Sequence, residues 1–234
     1  MANAADQIIE TLDFELARDV VSKDSVVNYV AKTTQFLTWP FLFILFNSLF
    51  KIKISGQEVF RNINSPFIII ANHTSFYDSF LFRIILGANT PHLPLRFMAV
   101  NNFESRTMNF IASTGLVDFM YSLFGVFTVT PGLGMNKNLK KSKDIIYNGG
   151  NIVIYPEGRI NRDETIGPFK NGASVLYKET GVEVVPISIK KSKDRVLRPT
   201  ITINVGQKME ISKSRSVDDI TKQFRNTIVS LSQN

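Results

Sequence analysis

Along residues 6–22, acidic side chains alternate with Ile8, Ile9, Leu12, Leu16, Val20 and Val21 at helical spacing, which predicts an amphipathic helix. Asp24 and Ser25 offer a cap for a second helix. The uncharged run TTQFLTWPFLFILFNSLF comes next at 33–50, bounded by Lys32 and Lys51 and interrupted by Pro40, Asn47 and Ser48. As a helix it is about 27 Å long, a little short of the roughly 30 Å hydrocarbon core. It could span a bilayer, be buried under the next domain, or lie in one leaflet with Trp39 and the Phe residues at the interface. The last is the reading carried forward.

From residue 51 the period changes. KIKIS (51–55) alternates, while FIIIA (67–71) is a continuous apolar run of the kind a doubly covered strand needs. Short apolar runs recur at 96–100, 126–130, 151–155, 182–189 and 200–205, and Pro186 breaks the one at 182–189. Helices fit at about 75–88, 104–122, 136–148 and 170–180. A last helix is predicted from Ser216, whose S-x-x-D with Asp219 reads as a capping box, with Ile220, Phe224, Ile228 and Leu231 as its buried stripe. These elements predict one α/β domain over 51–234, a mixed central sheet flanked by helices. A membrane-associating N-terminal helical segment, 1–50, precedes it.

Composition narrows the chemistry. The chain has no cysteine and two histidines, which leaves no disulfide scaffold and no thiol nucleophile, and argues against a dedicated transition-metal site. Residues 1–80 hold six basic and eight acidic side chains; residues 81–234 hold 21 and 12. The larger segment should attract an anionic partner such as a phospholipid surface, coenzyme A or an acidic carrier protein. Nucleic acid fits less well, because the Phe residues concentrate in apolar runs and the basic residues scatter. The acid-rich start lacks the basic and apolar regions of a signal peptide, so the globular part is expected on the cytoplasmic side.

Two strand ends carry candidate chemistry. In IIIANHTSFYDSF (68–80), His73 precedes Asp78 by five positions. Ser75-Phe-Tyr-Asp78 is itself S-x-x-D, so Asp78 could simply cap a helix. Alternatively, His73 in the loop and Asp78 in the first turn form a pair in which the carboxylate fixes the imidazole tautomer and frees the other nitrogen as a base. Ser75 lies outside any G-x-S-x-G elbow. In NIVIYPEGRINRDE (151–164), Gly158 permits close backbone approach and Arg159 suits phosphate, with Arg162 close behind. Gly132-x-Gly134 lacks the third glycine of a dinucleotide site. His92, between two prolines, reads as a loop residue without a role.

N-H-x-x-x-x-D, then P-E-G-R about eighty residues later, then F-K-x-G-A and V-V-P-I resembles, in order and spacing, the glycerolipid acyltransferase family that includes lysophosphatidate acyltransferases. Residues 51–190 keep to the pattern, and the apolar N-terminal helices resemble its membrane-docking pair. The resemblance implies that His73 is the general base and Asp78 its partner, with direct attack of an acceptor hydroxyl on an acyl thioester. It implies substrate binding by Glu157, Gly158 and Arg159, with Arg162, Lys170 and Pro186. No cofactor or metal is implied beyond acyl-CoA or an acylated carrier protein as co-substrate. The implied partner is a membrane phospholipid surface, docked through 33–50 on the cytoplasmic face. One departure stands out: Thr130 occupies the place where lysophosphatidate-using members commonly carry an arginine. Lys137, Lys140 or Lys141 would then substitute, or the acceptor would be another lysophospholipid or an aminoacyl-type lipid. A membrane-binding protein without catalysis would need no intact H-x-x-x-x-D.

Overall fold

The computed structural model describes residues 4–100, 112–130, 132–161, 165–192, 198–212 and 214–233, with the backbone alone for 4–24 and 100. Seven strands form one sheet: β1 (Lys51–Ser55), β2 (Phe67–Ala71), β3 (Leu95–Val100), β4 (Val126–Val129), β5 (Asn151–Ile154), β6 (Glu183–Lys191) and β7 (Thr200–Val205). Their order is β1-β7-β6-β2-β5-β3-β4. Every pairing is parallel except β6 with β7, so the sheet is mixed as the sequence predicted.

The helices are α1 (Ala4–Leu49), α2 (Asp78–Ile85), α3 (Leu116–Phe124), α4 (Met135–Tyr147), α5 (Gly172–Thr180) and α6 (Val217–Gln233). The continuous apolar run of β2 now has its reason. Phe67, Ile69 and Ala71 face a core shared with α1 and α2 through Leu42, Phe46, Leu81 and Phe82. Ile68 and Ile70 face the other core, built with Leu139, Leu176, Phe224 and Ile228 of α4, α5 and α6. A strand covered on both faces cannot alternate.

Three expectations change. No break occurs at Asp24-Ser25, and α1 runs unbroken through Pro40. Neither Asp24 nor Ser25 forbids a helix, since each costs only a fraction of a kcal/mol inside one, and no Gly or Pro stands there. Pro186 does not break β6. Its carbonyl accepts Gly206 N–H at 2.8 Å, and the β7 ladder begins only at Ile187 opposite Val205. A strand residue's N–H and C=O point the same way, so the missing donor falls where β7 has already ended. Finally, α2 starts at Asp78 rather than 75. The predicted helix at 104–122 lies partly outside the described residues; within them a turn at 114–115 interrupts it, with Gly115 at φ +78°, and α3 runs from Leu116 to Phe124.

Polar ties join α1 to the sheet. Gln35 donates to Leu95 O (2.8 Å) and Phe124 O (3.0 Å) and accepts Leu95 N–H at 2.9 Å, while Arg83 of α2 donates to Gln35 O at 2.7 Å. Arg96 reaches Asn28 of the same helix.

Candidate active site

Strands β5, β2 and β6 are neighbours and parallel, so their C-terminal ends meet on one edge of the sheet. That edge is where α/β sheets place reactive groups. Asn72 closes the end of β2 by exchanging two 2.8 Å bonds with Ile189 of β6, its amide donating to the carbonyl and its oxygen accepting the N–H. The next residue, His73, is thereby fixed at the rim.

His73 Nδ1 lies 3.2 Å from Asp78 Oδ2. Asp78 is fully buried at the start of α2, and its carboxylate is saturated. Oδ2 also accepts the N–H groups of Thr74 (2.6 Å) and Ser75 (2.8 Å), while Oδ1 accepts the Ser75 hydroxyl at 2.6 Å and pairs with Lys191 Nζ at 3.2 Å. Burial alone would raise the carboxyl's pKa. The His73 bond, the Lys191 charge and the Ser75 bonds together outweigh it and hold the carboxyl down at about 2. Asp78 therefore stays ionised, and Nδ1 of His73 is the protonated nitrogen that donates to it. Nε2, on the opposite side of the ring, has no bonding partner among the described residues.

Tyr155, at the end of β5, stacks flat on His73 with ring centroids 3.9 Å apart and planes 13° from parallel. Burial pushes its phenol well above the usual value, so it remains neutral, and its hydroxyl meets Ser79 Oγ at 3.1 Å. The imidazole is thus held by a carboxylate at one edge and an aromatic face beneath.

The second motif closes around the first. Glu157 is buried; Oε1 accepts His73 N–H at 3.1 Å, and Oε2 accepts Gly167 N–H at 3.0 Å and the Asn161 amide at 3.3 Å. Asn161 N–H in turn donates to His73 O at 2.7 Å. Glu157 thus ties the two turns together with both oxygens occupied by the protein. Gly158 has φ +65°, a left-handed conformation that favours glycine, and the flexible Lys170 side chain lies over it. Arg159 and Lys170 are exposed at the rim, and the Arg159 guanidinium has no partner among the described residues. Pro186 is in register with Ile70 of β2, and its ring packs over Gly206. Arg162 lies outside the described residues.

Thr130 follows β4, and Asn138 of α4 accepts its N–H (3.0 Å) and donates to its carbonyl (2.9 Å). Among the described residues no group of His, Cys, Asp or Glu is arranged to hold a metal ion. His92 turns out to be structural: it is buried, with Nε2 at 2.7 Å from Phe60 O and Nδ1 at 3.3 Å from Ser65 Oγ. Sequence reasoning misses Lys191 and Tyr155. Lys191 lies beyond the apolar run at 182–189 and in none of the motifs, and Tyr155 reads as one more strand residue.

The acyltransferase family model matches residues 51–190. The chain belongs to the acyltransferase family. A chloroplastic 1-acyl-sn-glycerol-3-phosphate acyltransferase of Brassica napus is 27% identical over 60% of the chain and 37% of its own length. A lyso-ornithine lipid O-acyltransferase of Pseudomonas aeruginosa is 24% identical over 63% of the chain and 50% of its own length. The chain therefore spans little more than a third of the plant relative. The crystal structure of PlsC, a 1-acyl-sn-glycerophosphate acyltransferase of Thermotoga maritima, superposes with a TM-score of 0.59, covering 90% of this acyltransferase chain and 82% of PlsC at 17% identity. That likeness establishes the shared fold.

Proposed function

We propose that the protein is an O-acyltransferase that moves a fatty acyl group from an acyl thioester to the free hydroxyl of a lysophospholipid, with 1-acylglycerol-3-phosphate as acceptor and phosphatidic acid as product. The observation that carries this reading is the His73–Asp78 pair with Nε2 unoccupied. Nε2 removes the hydroxyl proton as the oxygen attacks the thioester carbonyl. A C–O bond forms, the C–S bond breaks, and the proton passes from His73 to the departing thiolate of coenzyme A or a carrier protein. The Thr74 and Ser75 N–H groups are committed to Asp78, so an oxyanion must be met by other donors.

Arg159 supports an acidic acceptor: it is exposed, and unpartnered among the described residues, on the turn whose Asn161 bonds His73. Thr130, which brings no cation, favours a second reading with a different lysolipid acceptor, and the lyso-ornithine lipid relative points the same way.

Substrate access would come from a bilayer. Phe36, Leu37, Phe41 and Ile44 of α1 are exposed, as are Leu116, Phe119 and Met120 of α3, which packs beside it. No helix among the described residues is long and apolar enough to cross a membrane. Thr38, Asn47 and Ser48 bond the carbonyls four residues earlier, as polar groups in an apolar setting must. These features fit a helix lying on the cytoplasmic leaflet, whose anionic lipids suit the basic C-terminal segment.

The test is free-thiol release by detergent-solubilised protein given palmitoyl or oleoyl thioesters, of coenzyme A and of carrier protein, and a panel of lysolipids. Release with lysophosphatidate, raised in KM about 10–100-fold by Arg159→Ala, is expected. Release only with other lysolipids would keep the reaction and move the acceptor. Release with no pair above the His73→Ala background would overturn the enzyme reading and leave a non-catalytic membrane protein.

A further inference from the structure

The third charged group at the His73–Asp78 pair, Lys191, belongs to none of the sequence motifs. It reaches the site because β6 runs two residues past its apolar stretch, paired with β7 through Lys191 opposite Ile201. Its ammonium lies 3.2 Å from Asp78 Oδ1 and 4.1 Å from the centre of the Tyr77 ring, and its side chain is 23% exposed. Tyr77 is itself wedged against Phe46 and Phe50, so the lysine rests on a fixed platform.

The two carboxylate oxygens are divided. Oδ1 takes Lys191 and the Ser75 hydroxyl, and Oδ2 takes His73 with two backbone N–H groups. A carboxylate serving His73 alone would stabilise the imidazolium strongly, and a histidine charged in the resting state has no lone pair to offer. A cation on the far oxygen weakens that pull. The groups around His73 are few: Asp78 from α2, Lys191 from β6, neutral Tyr155 after β5, and Glu157, whose carboxylate is spent on backbone N–H groups and Asn161. The Tyr77 ring, packed on Phe46 and Phe50, carries the Lys191 ammonium, and Arg159 on the neighbouring turn is exposed. Lys191 is the one cation paired with Asp78 among the described residues.

We propose that Lys191 is a positioning residue of the pair: it holds Oδ1 of Asp78, aims Oδ2 at His73, and opposes charging of the imidazole so that His73 rests as a base. The consequence for rate depends on the acyl-transfer reading; the effect on His73 does not.

Histidine titration separates the two. With only two histidines in the chain, histidine-labelled protein in detergent gives ring signals assigned by His73→Gln. Lys191→Met should raise the His73 midpoint by about one pH unit, and Lys191→Arg should leave it within a few tenths. An unchanged His92 signal reports an intact fold, and Lys191→Gln replaces the Met variant if that signal is lost. The acid limb of the thiol-release profile should move up in step. An unmoved His73 midpoint overturns the proposal, as does a loss confined to KM for a phosphate-bearing acceptor, which would make Lys191 a substrate ligand. If wild-type protein releases no thiol, the proposed function falls, and the titration still decides the role of Lys191.

Discussion

The string S-x-x-D occurs at 75–78 and again at 216–219, and the fold uses it in two opposite ways. In both, the serine hydroxyl donates to the aspartate at 2.6 Å. Before α6, Ser216 Oγ also accepts Asp219 N–H at 3.1 Å, the helix begins at the next residue, and both side chains are exposed: Ser216 is an N-cap. Before α2, the helix begins only at Asp78, the Asp78 N–H goes to the Ser75 carbonyl at 3.1 Å, and the carboxylate turns inward to His73 and Lys191. The difference lies in where the string sits. One ends an exposed loop; the other ends a central strand between two parallel neighbours, where a buried carboxylate survives only with charged and N–H partners.

The largest expected difference between the two strings is in rate. Asp78→Asn should cost about 10²–10⁴ in kcat for thiol release, since the imidazole loses both its tautomer lock and its counter-charge. Asp219→Asn should stay within about twofold, as a surface change far from the chemistry. Equal losses would mean that the two strings do the same work.

Acid stability sharpens the contrast next. The Asp78 carboxyl titrates at about 2 in the fold against an ordinary 3.8, so its contribution is present above the ordinary value and is lost as pH falls from about 4 toward 2. Urea melts should show about 2 kcal/mol of stability disappearing over that window in wild type. In Asp78→Asn that slope should be gone, while Asp219→Asn should keep it.

The smallest expected effect is at the cap. Ser216→Ala should cost about 1 kcal/mol of stability with unchanged thiol release, because one orphan N–H at the start of α6 loses its acceptor. An activity loss there would couple α6 to the site in a way the geometry does not provide.

Much of this is legible in the chain. The strands at 51–55, 67–71 and 200–205 fall where they are predicted: 67–71 because a strand covered on both faces is apolar throughout, 51–55 and 200–205 because their two faces differ in burial and the side chains alternate. Ser216 is legible as a cap because capping is local. The motif order leads to His73, Asp78 and the turn at 156–161, and the structure brings these together. His92 looks idle in the sequence, yet it is a buried tie to Phe60 and Ser65, since burial of a loop depends on the elements packed over it. Likewise the single α1 and the unbroken β6 depend on neighbours that propensity does not see.

By itself, then, the sequence determined the features that rest on short-range order: which segments are strands and helices, where α6 starts, and which residue types stand at the two strand ends. Tertiary structure alone decided which end of which strand lies beside which. It placed Lys191, 113 positions from Asp78, on the same carboxylate, set Tyr155 flat against His73, and put Glu157 under both turns. The physical reason is that a buried charge acquires its properties from the dipoles and charges packed around it, and parallel pairing of β5, β2 and β6 assembles those from distant parts of the chain.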